Sequence, residues 1–258
     1  MRIPAQRTRH MRPLKNELLV EAWDRGSRQN PLGRALTMLA ASTQRSAGDI
    51  VALSIPERDL ELLRIRRMTF GDAMRGFLPC DSCGASLEFE TRVSWLLSRL
   101  EAVRSGSDAT WQTGNLRFSM RPVNSGDVAA ALAESEPRTA RRTLLERCTT
   151  AHRIDATREE PEPLDLEFDR EFEQTAIQKF EEIHQGAEVV FTLLCPSCGK
   201  HQKAELDIAQ FFWAEVRSAA IALLRDVHEL ARAYGWSEAA ILTMHEARRK
   251  AYLEMVRS

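Results

Sequence analysis

The sequence predicts an α+β protein in which a small four-cysteine ribbon is split by a long inserted subdomain and flanked by helical segments at both ends. Two CxxCG units of identical spacing, at 80–84 and 195–199, predict the two halves of the ribbon. Alternating apolar residues beside them predict its strands. An apolar stripe with steps of three and four residues near the carboxyl end predicts a long helix.

Length and composition are those of a globular protein. The chain has 258 residues, of which 43% are hydrophobic and 28% are charged. Its formal net charge of −1 predicts no general attraction to nucleic acid or to an anionic membrane. No apolar run approaches the roughly 18 residues that span a bilayer. We therefore expect a cytoplasmic protein, in which thiols stay reduced and paired CxxC units favour a metal over a disulfide.

Residues 1–14 are predicted to form a flexible basic arm. The opening MRIPAQRTRHMRPLK carries five basic residues and no acidic one, and no apolar segment typical of a secretory signal follows it. Two interpretations stay open, namely a solvated arm without a partner and an arm that docks on an acidic partner.

The N-terminal region, 15–76, is predicted to be helical. Helices are expected at 15–25, at 31–42 and from 54 to near 71. Asn30 is the predicted N-cap of the second helix, with Pro31 at the first helical position, where its missing N–H costs nothing. Ser54, followed three residues later by Glu57, predicts a capping box at the start of the third helix.

The ribbon itself is predicted in two halves, 77–92 and 187–206. In SLEFETRV, the residues Leu87, Phe89 and Thr91 alternate with acidic residues, as in a strand with one buried face. AEVVFTLL leads into the second cysteine pair as an apolar, β-branched strand, and HQKAELDI leaves it as the return strand.

An inserted α/β subdomain with an acidic loop is predicted over 93–186. Its helices are expected near 93–102, 126–135, 138–148 and 170–184, and its two strands within 111–123. Gly114 and Asn115 form the turn between these strands. The acidic stretch 159–173 has two prolines near its start, so we expect it to begin as a solvated loop.

The C-terminal region, 207–258, carries the strongest helical signal. Apolar residues recur in one stripe from Ile208 to Tyr234, which is typical of a long amphipathic helix. The expected boundaries are Asp207 and Gly235 for this helix, Ser237 for the start of the next, and 248–256 for the last.

Cys80, Cys83, Cys195 and Cys198 are the candidate ligands of one structural zinc ion (Zn2+). A tight CxxCG turn directs two thiolates to the same side, and two such turns supply the tetrahedral set that zinc prefers. The glycine after each pair permits the positive φ that such a turn usually needs. Four thiolates leave no position open for water, so the predicted site is structural and not catalytic.

Other interpretations of the cysteines and histidines fit the pattern less well. Neither CxxC unit lies at the strand-to-helix junction of a thioredoxin-like redox site. His201 could replace a cysteine as a ligand, although its position suits a surface histidine better. Cys148 falls on the apolar side of a predicted helix, as a small core residue. HELAR and HEARR lack the second histidine of a metalloprotease helix, and we recognise no catalytic arrangement, so we predict that the protein is not an enzyme.

Three aromatic residues, Phe211, Trp213 and Trp236, are candidate partner contacts. Phe211 and Trp213 lie about 100° to either side of Phe212 on the long helix, so they cannot both enter one narrow seam. Aromatic side chains at the border of a core are common anchors of protein interfaces. The alternative is a helix that is buried on all sides.

Segments spread over most of the chain carry a resemblance to a known family. They are GRALTMLAAS (33–42), ERDLELLRIRRMTFG (57–71), the paired CDSCG and CPSCG, FFWAEVRSAAIALLRDVHELARAYGWSEAAIL (211–242) and RRKAYLEMV (248–256). These segments resemble the baseplate hub assembly proteins, or chaperones, of contractile-tailed phages and of phage-like contractile injection systems. The resemblance implies that the four cysteines are zinc knuckles. It also places Trp213, His228, Tyr234, Gly235 and Trp236 in a family-like helix and turn.

The resemblance implies a non-enzymatic structural or assembly factor of a contractile tail baseplate. Its expected partners are other baseplate and hub proteins, with no membrane, specific nucleic acid or small-molecule substrate. Its expected place is the bacterial cytoplasm during assembly, and whether it stays in the finished particle is left open. The alternative is a zinc-ribbon nucleic-acid-binding or regulatory protein. The predicted ribbon strands argue against that alternative because they carry Glu88, Glu90, Glu188 and Glu205.

Overall fold

Helices make up most of the described chain, and small antiparallel sheets complete it. The computed structural model describes residues 11–103, 108–154, 162–164 and 169–258. The helices are α1 (Glu17–Ser27), α2 (Pro31–Ser42), α3 (Ala47–Val51), α4 (Ile55–Phe70), α5 (Val93–Val103), α6 (Ser125–Leu132), α7 (Pro137–Cys148), α8 (Arg170–His184), α9 (Ile208–Tyr234), α10 (Glu238–Leu242) and α11 (Glu246–Arg257). The strands are β1 (Ala73–Pro79), β2 (Ser86–Arg92), β3 (Ala109–Thr113), β4 (Leu116–Met120), β5 (Thr149–Arg153), β6 (Glu162–Leu164), β7 (Val190–Leu194) and β8 (His201–Glu205). The predicted α+β class is confirmed as a mixture of helices and small sheets.

Within these residues the strands form two hairpins and one four-stranded sheet. β1 pairs with β2, and β7 pairs with β8, both in antiparallel register. β3, β4, β5 and β6 are neighbours in chain order, and each pair is antiparallel. The turn of each hairpin contains one CxxC unit, so each half of the cysteine pattern lies at the tip of its own hairpin.

Local capping signals account for the starts of the N-terminal helices. The Asn30 side chain accepts a hydrogen bond from the Gly33 N–H at 2.8 Å. Ser54 and Glu57 form the predicted capping box of α4, with both of its hydrogen bonds present. Each bond satisfies a backbone donor that the first turn of a helix leaves without a partner.

The folded body begins before the end of the predicted basic arm. Leu14 is fully buried, and its backbone N–H donates a hydrogen bond to Thr69 Oγ1 at 3.0 Å. Residues 11–14 therefore pack with the helices, although the arm was predicted over 1–14. Residues 1–10 lie outside the described part of the chain.

The first strand begins inside the region that was predicted to be helical. β1 starts at Ala73, and its buried residues alternate through Met74 and Gly76. A Cβ on Gly76 would lie only 2.3 Å from a ring carbon of Phe89, so the packing of the hairpin requires a glycine here. Glycine is a poor strand former, and this explains why the sequence pattern predicted no strand there.

The main hydrophobic core lies between α1, α2, α4, α5 and the first half of α9. Its fully buried side chains include Met38, Leu62, Ile65, Leu96 and Phe212. A bidentate ion pair joins α4 to α9, in which the Arg66 guanidinium donates to both carboxylate oxygens of Glu215 at 2.6 and 2.9 Å. Since the Arg66 side chain is buried, removal of either partner would leave a desolvated charge.

Residues 93–186 contain a second hydrophobic core, built on the four-stranded sheet, α7 and α8. It includes Phe118, Met120, Leu145, Cys148, Ala151 and Phe172. The two strands predicted around Gly114 are confirmed as β3 and β4, and Cys148 has its predicted core position. β5 was not predicted, because it follows α7 directly without a turn residue between them. The acidic stretch 159–173 lies largely outside the described residues.

Backbone hydrogen bonds join this second core to the N-terminal helices. Ser54 and Asn124, the N-cap residues of α4 and α6, form an isolated β-bridge. The Ile55 N–H donates to the Val123 carbonyl at 2.9 Å, and the Val123 N–H donates to His184 Nε2 at 3.2 Å. These bonds hold the starts of two helices at a set orientation.

The carboxyl end folds back on the second half of α9. The Asp207 side chain accepts a hydrogen bond from the Gln210 N–H at 2.8 Å, and Gly235 ends the helix with a φ of 67°, as predicted. α10 and α11 then pack against α9 through a third apolar cluster, which includes Leu223, Leu230, Ile241 and Leu253. Among the described helices, none combines the length and apolarity that crossing a bilayer requires.

Candidate metal centre

The two CxxCG turns have the same backbone geometry. In the first, the Gly84 N–H donates a hydrogen bond to the Cys80 carbonyl at 2.8 Å, and in the second the Gly199 N–H donates to the Cys195 carbonyl at 2.9 Å. The two glycines have φ angles of 73° and 72°, in the left-handed region that side chains disfavour. The positive φ expected from the sequence is therefore present in both turns.

The turns bring four sulfur atoms into one cluster. All four Sγ atoms, from Cys80, Cys83, Cys195 and Cys198, lie within 4.8 Å of one another. Two of the separations, from Cys80 to Cys198 and from Cys83 to Cys195, are 3.7 Å, and each joins one hairpin to the other. A tetrahedral zinc site with Zn–S bonds of about 2.3 Å has S···S edges of about 3.8 Å. The cluster could therefore bind a metal ion such as zinc.

The cluster is half enclosed by the hairpins. Cys80 and Cys195, the first cysteine of each pair, are buried, and Cys83 and Cys198 are exposed. Leu78, Ala85, Leu87 and Leu193 pack around the buried sulfurs. The exposed pair leaves a path by which an ion can enter, while the apolar surroundings limit access of water to the other two.

Gln202 on β8 connects the two hairpins beside the sulfurs. Its side-chain oxygen accepts a hydrogen bond from the Asp81 N–H at 3.0 Å, and its amide group donates to the Pro79 carbonyl at 3.2 Å. Both partners belong to the first hairpin, whereas Gln202 lies on the second. No sequence pattern predicts this contact, because a lone glutamine on a strand has no typical partner.

The thiols of the cluster differ in acidity. The backbone N–H groups of Cys198 and Ser197 lower the pKa of Cys195 to about 6. For Cys83, the Ala85 N–H lowers the pKa, but the contact with Cys195 and desolvation outweigh it and raise the pKa to about 12. The lowered pKa of Cys195 favours its thiolate form, which is the form in which cysteines bind metals.

His201 lies at the start of β8 and is exposed. It pairs with Leu194 in the hairpin register. The group of side chains that could hold a metal among the described residues comprises the four cysteines and does not include His201. The structure therefore places this histidine on the surface of the hairpin.

The three candidate partner residues differ in their burial and in their neighbours. Phe211 is half-buried beside Phe89, with ring centroids 6.3 Å apart. Trp213 is only 7% exposed and belongs to the main core. Trp236 is half-buried and stacks on Tyr234 at 4.5 Å. Trp213 thus has the buried position of the alternative interpretation, and partner binding by these residues stays a prediction.

Comparison with protein-family models, with curated proteins and with solved structures finds no match for this chain. The function of the chain is therefore inferred from its own residues. Among them, the sulfur cluster is the feature with the most specific chemistry, because four cysteine sulfurs at this spacing suit few uses other than metal binding.

Proposed function

We propose that the chain is a non-enzymatic structural or assembly factor of a contractile tail baseplate, and that one structural zinc ion stabilises it. The observation that carries the structural part is the cluster of four cysteine sulfurs contributed by two hairpins. The baseplate part rests on the resemblance of the segments quoted above. The expected partners are other proteins of the baseplate hub.

Zinc is the metal that suits this donor set. Soft thiolate ligands in a tetrahedral arrangement select zinc or iron–sulfur clusters over hard cations. A single zinc ion fits the S···S separations of 3.7 Å between the hairpins. With four protein ligands the ion has no free position for water or substrate, so its role is to stabilise the fold.

Under this proposal the two hairpins form a single zinc ribbon. The N-terminal and C-terminal helical regions flank it along the chain. The segment between the ribbon halves, 93–186, is then an inserted subdomain with a hydrophobic core of its own. Such an arrangement suits a scaffold, because the ion fixes two distant parts of the chain without a large core between them. A protein of a large assembly needs that kind of fixed surface.

The assembly role is tested by particle formation in the bacterium that carries the gene. Deletion of the gene is expected to leave sheath and tube proteins unassembled, as seen by electron microscopy of cell lysates. The Cys195→Ser variant should fail to restore particles, whereas the Cys148→Ser variant should restore them because Cys148 lies in the other core. Normal particles in the deletion strain would exclude the baseplate role.

The nucleic-acid alternative predicts a different result. The ribbon strands expose Glu88, Glu90 and Glu205, and such carboxylates repel phosphates. We therefore expect no binding of duplex or single-stranded DNA at physiological salt, measured by fluorescence anisotropy with the full chain. A variant without residues 1–10 serves as the control for weak binding through the basic arm. Tight binding that survives both the deletion and the salt would favour the alternative.

A further inference from the structure

A groove of about 710 Å3 lies between α1, α2 and the first half of α9, away from the cysteine cluster. Its walls contain two indole rings, two guanidinium groups and several small side chains. The lining side chains used below are Trp23, Arg34, Trp213, Ala214, Arg217 and Ser218.

Trp213 forms a rigid wall of this groove. A Cβ on Gly26 would lie 2.6 Å from two carbon atoms of the Trp213 ring, so only a glycine lets α1 approach the ring this closely. The Arg34 guanidinium lies over the same ring, 5.3 Å from its centroid. Since Arg34 also donates to the Gly26 carbonyl at 3.4 Å, its charged group is held beside the groove.

The groove carries positive charge without a compensating acid. None of its lining residues is acidic. Within the part of the chain that the structure describes, neither Arg34 nor Arg217 forms an ion pair with a carboxylate. Other arginines of the main helical body, such as Arg45 and Arg66, do have carboxylate partners. The two groove arginines are therefore available to an anion from outside.

The small residues of α9 give the groove room for a side chain. Ala214 and Ser218 are four residues apart, so they lie on the same face of α9, one turn from each other. Trp23 and Ile221 supply apolar surface next to them. An apolar side chain that enters the groove can thus lose water and gain contact with this surface.

We propose that this groove binds an acidic peptide segment of a partner protein. The carboxylates of the segment pair with Arg34 and Arg217, and an apolar side chain between them packs over Ala214 and Ser218. Guanidinium groups bind carboxylates through paired hydrogen bonds, which gives the site its specificity. The proposal goes beyond the baseplate role and depends neither on it nor on the metal.

A peptide fits the groove better than a nucleic acid does. Bases bind proteins by stacking on exposed aromatic faces. Of the two indole rings here, Trp213 is only 7% exposed and is covered by Arg34, and Trp23 is half-buried. Two cations also supply few of the phosphate contacts on which nucleic-acid affinity depends. The remaining apolar lining suits an aliphatic or aromatic side chain.

The test uses the full chain and an array of short fluorescein-labelled peptides with glutamates on both sides of one varied central residue. Anisotropy should show binding of peptides with a large apolar centre, at least about tenfold tighter than for the same peptides with lysines in place of the glutamates. The Arg217→Gln variant should weaken this binding about tenfold. Arg225→Gln, on an exposed position of the same helix outside the groove, is the matched control and should change nothing.

Three results would overturn the proposal. One is the absence of binding by any member of the array at about 1 mM peptide. Another is equal binding by the wild type and the Arg217→Gln variant, because Arg217 is exposed and its replacement leaves the core intact. The third is displacement of the bound peptide by a single-stranded oligonucleotide with higher affinity, which would assign the groove to nucleic acid instead.

Discussion

Replacement of Cys195 by serine is expected to abolish stoichiometric zinc binding and to lower the free energy of unfolding by at least about 4 kcal/mol. That is the stabilisation that a ligand gives at about a thousandfold excess over its Kd, and structural zinc sites are tighter still. The β7–β8 hairpin should be weakened when the ion is lost, because a two-stranded hairpin has little stability of its own. Loss of the ion should also break the hydrogen bonds between the Gln202 side chain and the first hairpin.

Metal analysis and denaturation with and without a chelator check this expectation. Wild-type protein should contain one zinc per chain and should lose stability with the chelator, whereas Cys195→Ser should be insensitive to it. Cys148→Ser is the control for loss of a thiol, and it should keep both the metal and the response to the chelator. Wild-type protein with well under one metal ion per chain and no response to the chelator would contradict the prediction.

Replacement of Trp213 by alanine is expected to cost about 3–5 kcal/mol of folding free energy, as large-to-small changes of buried aromatic residues do. The side chain is 7% exposed, and it packs where α1, α2 and α9 meet. The change would open a cavity that these three helices could close only by moving toward one another. Urea denaturation of the purified variant measures the effect.

Trp95 and Gly26 provide the matched controls. Trp95 is 50% exposed, so Trp95→Ala should stay within about 1 kcal/mol of the wild type. Gly26→Ala should destabilise the wild type, because its Cβ would collide with the Trp213 ring at 2.6 Å. In the Trp213→Ala background, Gly26→Ala should instead raise the free energy of unfolding by about 0.5–1 kcal/mol. That is the usual gain from replacing glycine by alanine in a helix. A Trp213→Ala variant with wild-type stability would place this residue outside the core.

The parts of the fold that the sequence predicted are those with local signals. Ser54 and Glu57 predicted the start of α4, and Asp207 and Gly235 predicted both ends of α9, because capping depends on residues within one turn. β5 and the first half of β1 were not predicted. Their strands depend on partners elsewhere in the chain, and Gly76 conceals the strand pattern.

The same distinction applies to the candidate site. The repeated CxxCG units predicted which cysteines lie together, because the same metal-binding motif occurs in both halves. They did not predict that Gln202 would connect the turns. The burial of Trp213 had no local signal either, because the glycine that admits its ring is Gly26, near the opposite end of the chain.

The distance between the two cysteine pairs along the chain also sets the order of events during synthesis. At about 5–20 residues per second, residues 84–194 take on the order of 10 s to be added after Cys83. During that time the first hairpin has two cysteines, and the other two cysteines of the cluster are not yet available to them. The intervening segment, with its own core, can fold before the second pair leaves the ribosome. A chain that stops before Cys198 cannot complete the sulfur cluster, so uptake of a metal by all four cysteines would mark a chain whose synthesis has passed that point.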